Sequence, residues 1–115
     1  MPLIKVQTSA QVAAELRAGV LAACSRALAD ATGKPEKYCM AVLEQGEILM
    51  AGKPARAAFV DIRGIGGLTP TVNKALSRAL CEILRKDLQI EPANVYITCT
   101  DVPASNWGWN GGTFG

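Results

Sequence analysis

The chain has 115 residues, of which 50% are hydrophobic and 19% are charged, and its net charge is +2. This length and composition predict one globular domain, residues 1–115, rather than a disordered or multidomain chain. The charge is too small and too scattered for a nucleic-acid partner, and no apolar run approaches the ~20 residues that cross a bilayer, so we predict no membrane span.

The four cysteines and the absence of histidine limit the available chemistry. The cysteines are widely separated and never form C-x-x-C, so we expect free buried thiols rather than a disulfide framework or a zinc site. A chain without histidine cannot use imidazole in catalysis and lacks the commonest metal ligand. We therefore predict no metal site, and any catalysis must use another base.

The first half of the chain begins with a strand and a helix. Residues 3–8 have the length and apolar content of a strand, and Thr8 followed by Gln11 matches a capping box. From Val12 onward, apolar residues recur at three- and four-residue steps, which predicts a helix. Gly33 then supplies the C-terminal stop of that helix.

A second strand and a short hairpin complete this half. Residues 38–43 have the composition of a strand. Gly46 predicts a turn into the short apolar run at residues 48–50. Together these segments form one βαβ unit with a hairpin appended.

The second half repeats the same plan. Residues 58–63 alternate like a strand, and the glycine-rich stretch 64–67 ends it. Pro70 fits the first turn of a second helix, and residues 95–100 predict the final strand. This repetition predicts a pseudo-repeat whose halves span about residues 1–56 and 57–115.

Two βαβ units predict an α/β fold (α+β by some schemes), with a four-stranded mixed sheet and two helices on one face. The other face is bare, and residues such as Phe59, Ile62, Tyr96 and Thr98 predict that it is too apolar for solvent. We therefore expect it to be buried against other copies of the chain. The tail at residues 106–114 carries three aromatic side chains that must also dock on something.

Pro2 is the first candidate for chemistry. If Met1 is removed, Pro2 presents a secondary amine, and an apolar pocket beside a cation lowers the pKa of an α-amino group from its reference value near ~8. A neutral amine is what a general base must be. The alternative is that Pro2 is only a rigid start to an edge strand.

Lys34 is the second candidate. A lysine after a helix often only complements the helix dipole, but beside Pro2 it would lower the amine pKa and bind a carboxylate.

The glycine stretch 64–67 either lets backbone approach a ligand or is only a turn. Most of the aromatic residues lie after strands or in the tail, which suits a pocket for a flat apolar ligand. They are Tyr38, Tyr96, Trp107, Trp109 and Phe114.

Several motifs occur in order along the whole chain. They are Pro2 after Met1, A-T-G-K-P at 31–35 followed by Tyr38, G-I-G-G-L at 64–68, N-K at 73–74, V-Y-I at 95–97 and N-W-G-W-N-G-G-T-F at 106–114. In this combination the chain resembles macrophage migration inhibitory factor and its relatives in the tautomerase superfamily. The resemblance implies a homotrimer with active sites between subunits, removal of Met1, and no cofactor.

The resemblance also implies an activity and roles for particular residues. The activity is keto–enol tautomerisation of phenylpyruvate-like or dopachrome-like substrates, small aromatic keto or enol acids. Pro2 would be the catalytic base, Lys34 would bind the substrate carboxylate, and the backbone at Ile65 would contact the ligand. Tyr96 would reach in from the adjacent subunit. The other implied substrate-binding residues are Leu3, Tyr38, Thr98, Trp107, Trp109 and Phe114.

Some positions depart from the family pattern. Thr98 stands where the best-known animal members carry asparagine, and Trp107 stands where an aliphatic residue is common, which predicts a narrower pocket mouth. Relatives that hydrate or dehalogenate their substrates add arginines near the proline, whereas residues 33–35 offer only lysine. We therefore favour tautomerisation over those reactions.

A second class of function stays open. Some relatives act as cytokines, so the alternative is a signalling or receptor-binding protein with a vestigial pocket. The chain start lacks the pattern of a signal peptide, so we expect a cytoplasmic protein, with non-classical secretion left open.

Overall fold

The computed structural model describes all residues, 1–115. Six strands and two helices come first along the chain, and a two-stranded hairpin forms the tail. They are β1 (Pro2–Thr8), α1 (Ala14–Thr32), β2 (Met40–Gln45), β3 (Leu49–Met50), β4 (Lys53–Pro54), β5 (Ala58–Gly64), α2 (Pro70–Leu88), β6 (Val95–Asp101), β7 (Gly108–Trp109) and β8 (Gly112–Thr113). Neither helix is long and apolar enough to cross a membrane.

The main sheet has four strands in the order β2-β1-β5-β6. β1 is parallel to β2, β5 is parallel to β6, and the two central strands β1 and β5 are antiparallel. Each parallel pair is joined through one helix, so the prediction of two βαβ units in a mixed sheet is confirmed. The antiparallel centre brings the start of β1 to the end of β5, where Pro2 lies opposite Gly64.

The core lies between one face of this sheet and the two helices. Alternate residues of β1 and β5 are buried in this core, and α2 contributes leucines to it at every fourth position. Burying each such side chain stabilises the fold by about 1.5–3 kcal/mol. The fully buried members include Ile4, Val60, Ile62, Leu28, Leu76, Leu80 and Leu84.

The two helices begin differently. α2 starts as predicted, because Thr69 accepts a hydrogen bond from the N–H of Val72 at 3.2 Å and Pro70 is the first helical residue. The predicted capping box of α1 is wrong, since the helix begins only at Ala14 and has no side-chain cap. The hydroxyl of Thr8 instead donates to the carbonyl of Ala57 at 2.8 Å.

The second strand and the hairpin also differ from the prediction. β2 begins at Met40 rather than at residue 38, because residues Glu36–Tyr38 form a 3-10 turn. Gly46 is not the hairpin turn. The β3–β4 hairpin reverses at Ala51 and Gly52, which have φ values of 55° and 75°, as two-residue hairpin turns of the primed type require.

The face of the sheet away from the helices corrects a further prediction. Ile62 points into the core and is fully buried, because side chains alternate along a strand. Phe59, Tyr96 and Thr98 do lie on the uncovered face, but this face is mostly polar. Its twelve positions are Leu3, Lys5, Gln7, Met40, Val42, Glu44, Phe59, Asp61, Arg63, Tyr96, Thr98 and Thr100.

Candidate active site

A cleft of about 520 Å³ lies at the end of the sheet where β1 begins and β5 ends. It is lined by the first residues of β1, the turn before β2, the end of β5 and the chain after β6. We name it the proline cleft. Five of the predicted site residues line it: Pro2, Leu3, Tyr38, Trp107 and Trp109.

The amino end of β1 lies beside a cation. Pro2 itself is fully buried behind Met1. Burial, and next the positive charge of Lys34, lower the pKa of the Met1 amino group below its usual value. An amine at this end of β1 is therefore in surroundings that favour its neutral form.

Lys34 is held in place by backbone on both sides. α1 ends at Gly33, whose left-handed φ of 71° turns the chain toward the cleft. The Lys34 ammonium donates a hydrogen bond to the carbonyl of Ile65. Its side chain also crosses Gly67, where a Cβ atom would lie 3.1 Å from Lys34 Cε. The glycine-rich stretch thus provides both the anchor and the room for this lysine.

Three hydrogen bonds hold the glycine-rich loop. The Gly66 N–H donates to Asp101 Oδ1 at 2.7 Å, and the Val102 N–H donates to the carbonyl of Gly64 at 2.8 Å. The Ile65 N–H donates to the carbonyl of Met1 at 3.3 Å. Loss of Met1 would remove that carbonyl and leave the Ile65 N–H free beside the new terminal amine.

The aromatic tail forms one wall of the cleft. Trp107 and Trp109 line it, and Phe114 stacks on Trp109 with ring centroids 5.6 Å apart and an angle of 16° between the planes. The Phe114 N–H also donates to the carbonyl of Trp107 at 3.2 Å. Phe114 therefore supports the wall from behind instead of lining the cleft.

The structure does not bring Tyr96 and Thr98 to the proline cleft of the same chain. Tyr96 lies opposite Phe59, whereas Asp101 at the other end of β6 lies opposite Gly64. Tyr96 is five positions before Asp101 along β6, which is about 16 Å. Tyr96 is 66% exposed and lines a second cleft of about 270 Å³ at the far end of the sheet.

Sequence reasoning missed two cations of the proline cleft, Arg63 and Lys37. Residues 33–35 do offer only lysine, but an arginine reaches this cleft from β5, because Arg63 is paired directly opposite Leu3. The signal was the strand register: once Pro2 faces Gly64, the neighbouring Arg63 must share a face with Leu3.

Thiol chemistry is not favoured at this site. All four cysteines are free, and Cys39 lines the proline cleft. Burial, and next the negative charge of Glu36, raise the pKa of Cys39, so its reactive thiolate form is disfavoured. Only Cys24 is fully buried, with its pKa raised to about 11 by burial. No three His, Cys, Asp or Glu side chains are grouped closely enough to hold a metal ion.

The family model described as macrophage migration inhibitory factor (MIF) matches residues 1–115. The chain belongs to the MIF family. It is 34% identical over 115 residues to the macrophage migration inhibitory factor of Rattus norvegicus, covering 99% of each chain. It is 36% identical over 96 residues to that of Xenopus laevis, covering 83% of this chain and 84% of the relative.

Solved MIF-family structures share the whole fold. The MIF-like protein from Entamoeba histolytica superposes with a TM-score of 0.95 at 29% identity and covers 98% of both chains. The MIF homologue from Prochlorococcus marinus gives a TM-score of 0.93 at 35% identity, covering 98% of this chain and 99% of the other. The predicted family and the predicted fold are therefore confirmed.

Proposed function

We propose that this MIF-family protein is a keto–enol tautomerase for small aromatic keto or enol acids of the phenylpyruvate or dopachrome type, with Pro2 as its base after removal of Met1. One observation carries the proposal. The Lys34 ammonium and the Ile65 N–H lie beside Met1 at the start of β1, and Met1 lines the proline cleft. Membership of the MIF family supports an isomerase of this kind.

Each of these groups has a chemical task. The neutral Pro2 nitrogen removes the proton from the enol oxygen, the carbonyl forms, and the electron pair of the carbon–carbon double bond takes a proton at C3 from the Pro2 ammonium. Lys34 binds the substrate carboxylate and also disfavours the protonated form of the proline. The Ile65 N–H, freed from Met1, donates to a substrate oxygen. Trp109 and Tyr38 offer flat surfaces to an aromatic ring.

The active form in this proposal is a homotrimer with sites between neighbouring subunits. The large side chains that the uncovered face exposes, Met40, Phe59 and Tyr96, support an assembly. Tyr96 and Thr98 of one subunit would then complete the proline cleft of the next. This arrangement reconciles their implied substrate contacts with their distance from Pro2 in one chain.

The experiment is an enol–keto assay with phenylpyruvate, preceded by an intact-mass measurement that verifies loss of Met1. Replacing Pro2 with glycine should lower the rate by roughly 100-fold or more, because a positioned base contributes 10²–10⁴. Pro54→Ala, at an exposed proline of β4, is the matched control and should keep the native rate. Retained Met1, or a Pro2→Gly variant as active as native protein, would overturn the proposal.

A further inference from the structure

Arg63 stands on the wall of the proline cleft but has no task in the proposed reaction. It is the residue before the end of β5, on the uncovered face and directly opposite Leu3. Side chains in such a cross-strand pair have their Cβ atoms roughly 4.5–5.5 Å apart. The Arg63 side chain therefore starts next to Leu3, and it lines the cleft together with Leu3 and Pro2.

The charges that line this cleft are all positive. Arg63 and Lys37 line it, Lys34 lies beside the terminal amine, and no Asp or Glu lines it. The cleft at the far end of the sheet is the reverse, because it is lined by Glu44 and Glu47 and by no lysine or arginine. One carboxylate needs only one of these cations. Arg63 is therefore available to a second anionic group if its pairing with Asp61 leaves donors free.

Asp61 positions Arg63 without occupying it. Arg63 Nε and Nη2 both donate to the same oxygen, Asp61 Oδ2, at 3.3 and 3.1 Å. A guanidinium has five N–H donors in a rigid fork, so three remain. The Arg63 side chain is 54% exposed and lines the cleft, whereas Asp61 is 18% exposed and does not. The aspartate fixes the fork at the wall and leaves its other edge open.

We propose that Arg63 is a specificity-determining residue that binds a second anionic group of the substrate. The cleft would then prefer dianionic aromatic 2-oxo acids, with one carboxylate beside Lys34 and the other at Arg63. This rests on the proposed function, because that function places the first carboxylate. Lys37, whose ammonium lies 5.0 Å from the ring centroid of Tyr38, adds positive charge at the same wall.

The two tryptophans allow a binding experiment that does not depend on turnover. The chain has only Trp107 and Trp109, and both line the cleft. Phenylglyoxylate and 4-carboxyphenylglyoxylate have no C3 hydrogen, so neither can enolise, and they differ by one carboxylate. Native protein lacking Met1 should bind the dianion roughly tenfold more tightly, since a charged hydrogen bond contributes about that factor. Fluorescence quenching gives both dissociation constants.

Arg63→Gln should abolish this preference and leave phenylglyoxylate binding within about twofold, because only the added carboxylate reaches Arg63. Arg63→Lys should retain part of the preference, since it keeps the charge and loses the fork. Arg85→Gln is the matched control, because Arg85 is also an exposed arginine, 52% accessible and paired with Glu82 at 2.7 Å, but lies on α2. It should bind both probes like native protein.

Three results would overturn the inference. They are equal binding of the two probes by native protein, an equal loss of affinity for both probes in Arg63→Gln, and loss of the dianion preference in Arg85→Gln.

Sedimentation of Arg63→Gln distinguishes a subunit contact from a ligand contact. If the variant forms a smaller assembly and loses affinity for both probes equally, Arg63 belongs to the subunit interface. If the protein prefers the dianion but has no tautomerase activity, the inference about Arg63 is supported and the proposed function is wrong. If the protein has Pro2-dependent tautomerase activity but does not prefer the dianion, the proposed function is supported and the inference about Arg63 is wrong.

Discussion

The two clefts at opposite ends of the sheet are built from equivalent elements. The proline cleft uses the start of β1, the turn before β2, the end of β5 and the chain after β6. The far cleft uses the start of β5, the turn before β6, the end of β1 and the chain after β2. The first is lined by cations and the second by carboxylates. The βαβ plan thus provides two similar clefts, and the side chains decide which one suits an anionic acid.

The ends of the two helices show that one residue after the helix accounts for part of the difference in charge between the two clefts. Each helix stops at a left-handed residue, Gly33 with φ 71° and Gln89 with φ 53°. After Gln89 the chain places Ile90 in the core, fully buried, with its N–H donating to Leu84 at 3.2 Å. After Gly33 it places Lys34 on the backbone of the glycine-rich loop. The same helix end therefore either closes the core or presents a cation.

Lys34→Ile should have the largest effect. It replaces the lysine that follows α1 with isoleucine, the residue that follows Gln89 at the end of α2, and so removes the cation. We expect kcat/KM for phenylpyruvate to fall roughly 100-fold, because the charged hydrogen bond to the carboxylate and the cation beside the amine are lost together. Burial, and next the charge of Lys34, lower the pKa of the Met1 amino group, and in the proposed active form Lys34 would act on the Pro2 amine in the same way. Its removal raises that pKa, so the acidic limb of the kcat/KM profile should move to higher pH. Lys86→Ile, in the last turn of α2, is the control and should leave the profile in place.

Tyr96→Ala asks whether the two clefts meet in an assembly. In one chain, about five strand residues separate Tyr96 from the proline end of β6, so a monomeric enzyme should not respond to it. The proposed trimer predicts a fall of kcat/KM of roughly tenfold, since a buried aromatic contact and its hydroxyl are lost. Tyr38→Ala, which changes the cleft within the same chain, should lower the rate in either assembly. A native rate in Tyr96→Ala would contradict the proposal that Tyr96 of one subunit completes the proline cleft of the next.

Gly67→Ala and Gly66→Ala separate backbone strain from displacement of Lys34. Both glycines have positive φ, 83° and 68°, so each alanine should destabilise the fold by about 1–2 kcal/mol in urea unfolding. Only at position 67 would the new Cβ meet Lys34, at 3.1 Å, while nothing lies within 4 Å at position 66. We expect kcat/KM to fall about fivefold more in Gly67→Ala. Equal rates in the two variants would contradict the role of this glycine.

Asp101→Ala should have the smallest effect. It removes the acceptor of the Gly66 N–H, at 2.7 Å, in an exposed setting. A hydrogen bond of this kind contributes about 1 kcal/mol, so the loop should loosen and KM should rise a few-fold with little change in kcat. Asp101→Asn keeps an oxygen acceptor and should restore native KM. Failure of asparagine to rescue KM would show that charge, not loop position, is what Asp101 provides.

Strong local signals predicted much of the fold. The second helix begins at Thr69 and Pro70 as expected, because both its cap and its first turn lie within a few residues. The first helix was misplaced because the hydroxyl of Thr8 bonds to Ala57, which is 49 residues away. Tyr38 left its predicted strand because a 3-10 turn precedes β2. Ile62 was assigned to the wrong face because the prediction placed it with Phe59, although residues 59 and 62 point to opposite faces of a strand.

The sequence by itself determined the family, the two βαβ units and the main candidates for chemistry, Pro2 and Lys34, because short motifs and periodic apolar residues are local properties. Tertiary structure alone decided which side chains share a cleft. The antiparallel pairing of β1 with β5 brought Arg63 beside Leu3 and carried Tyr96 to the opposite end of the sheet. Strand register depends on packing across the whole core, so no neighbouring residues encode it.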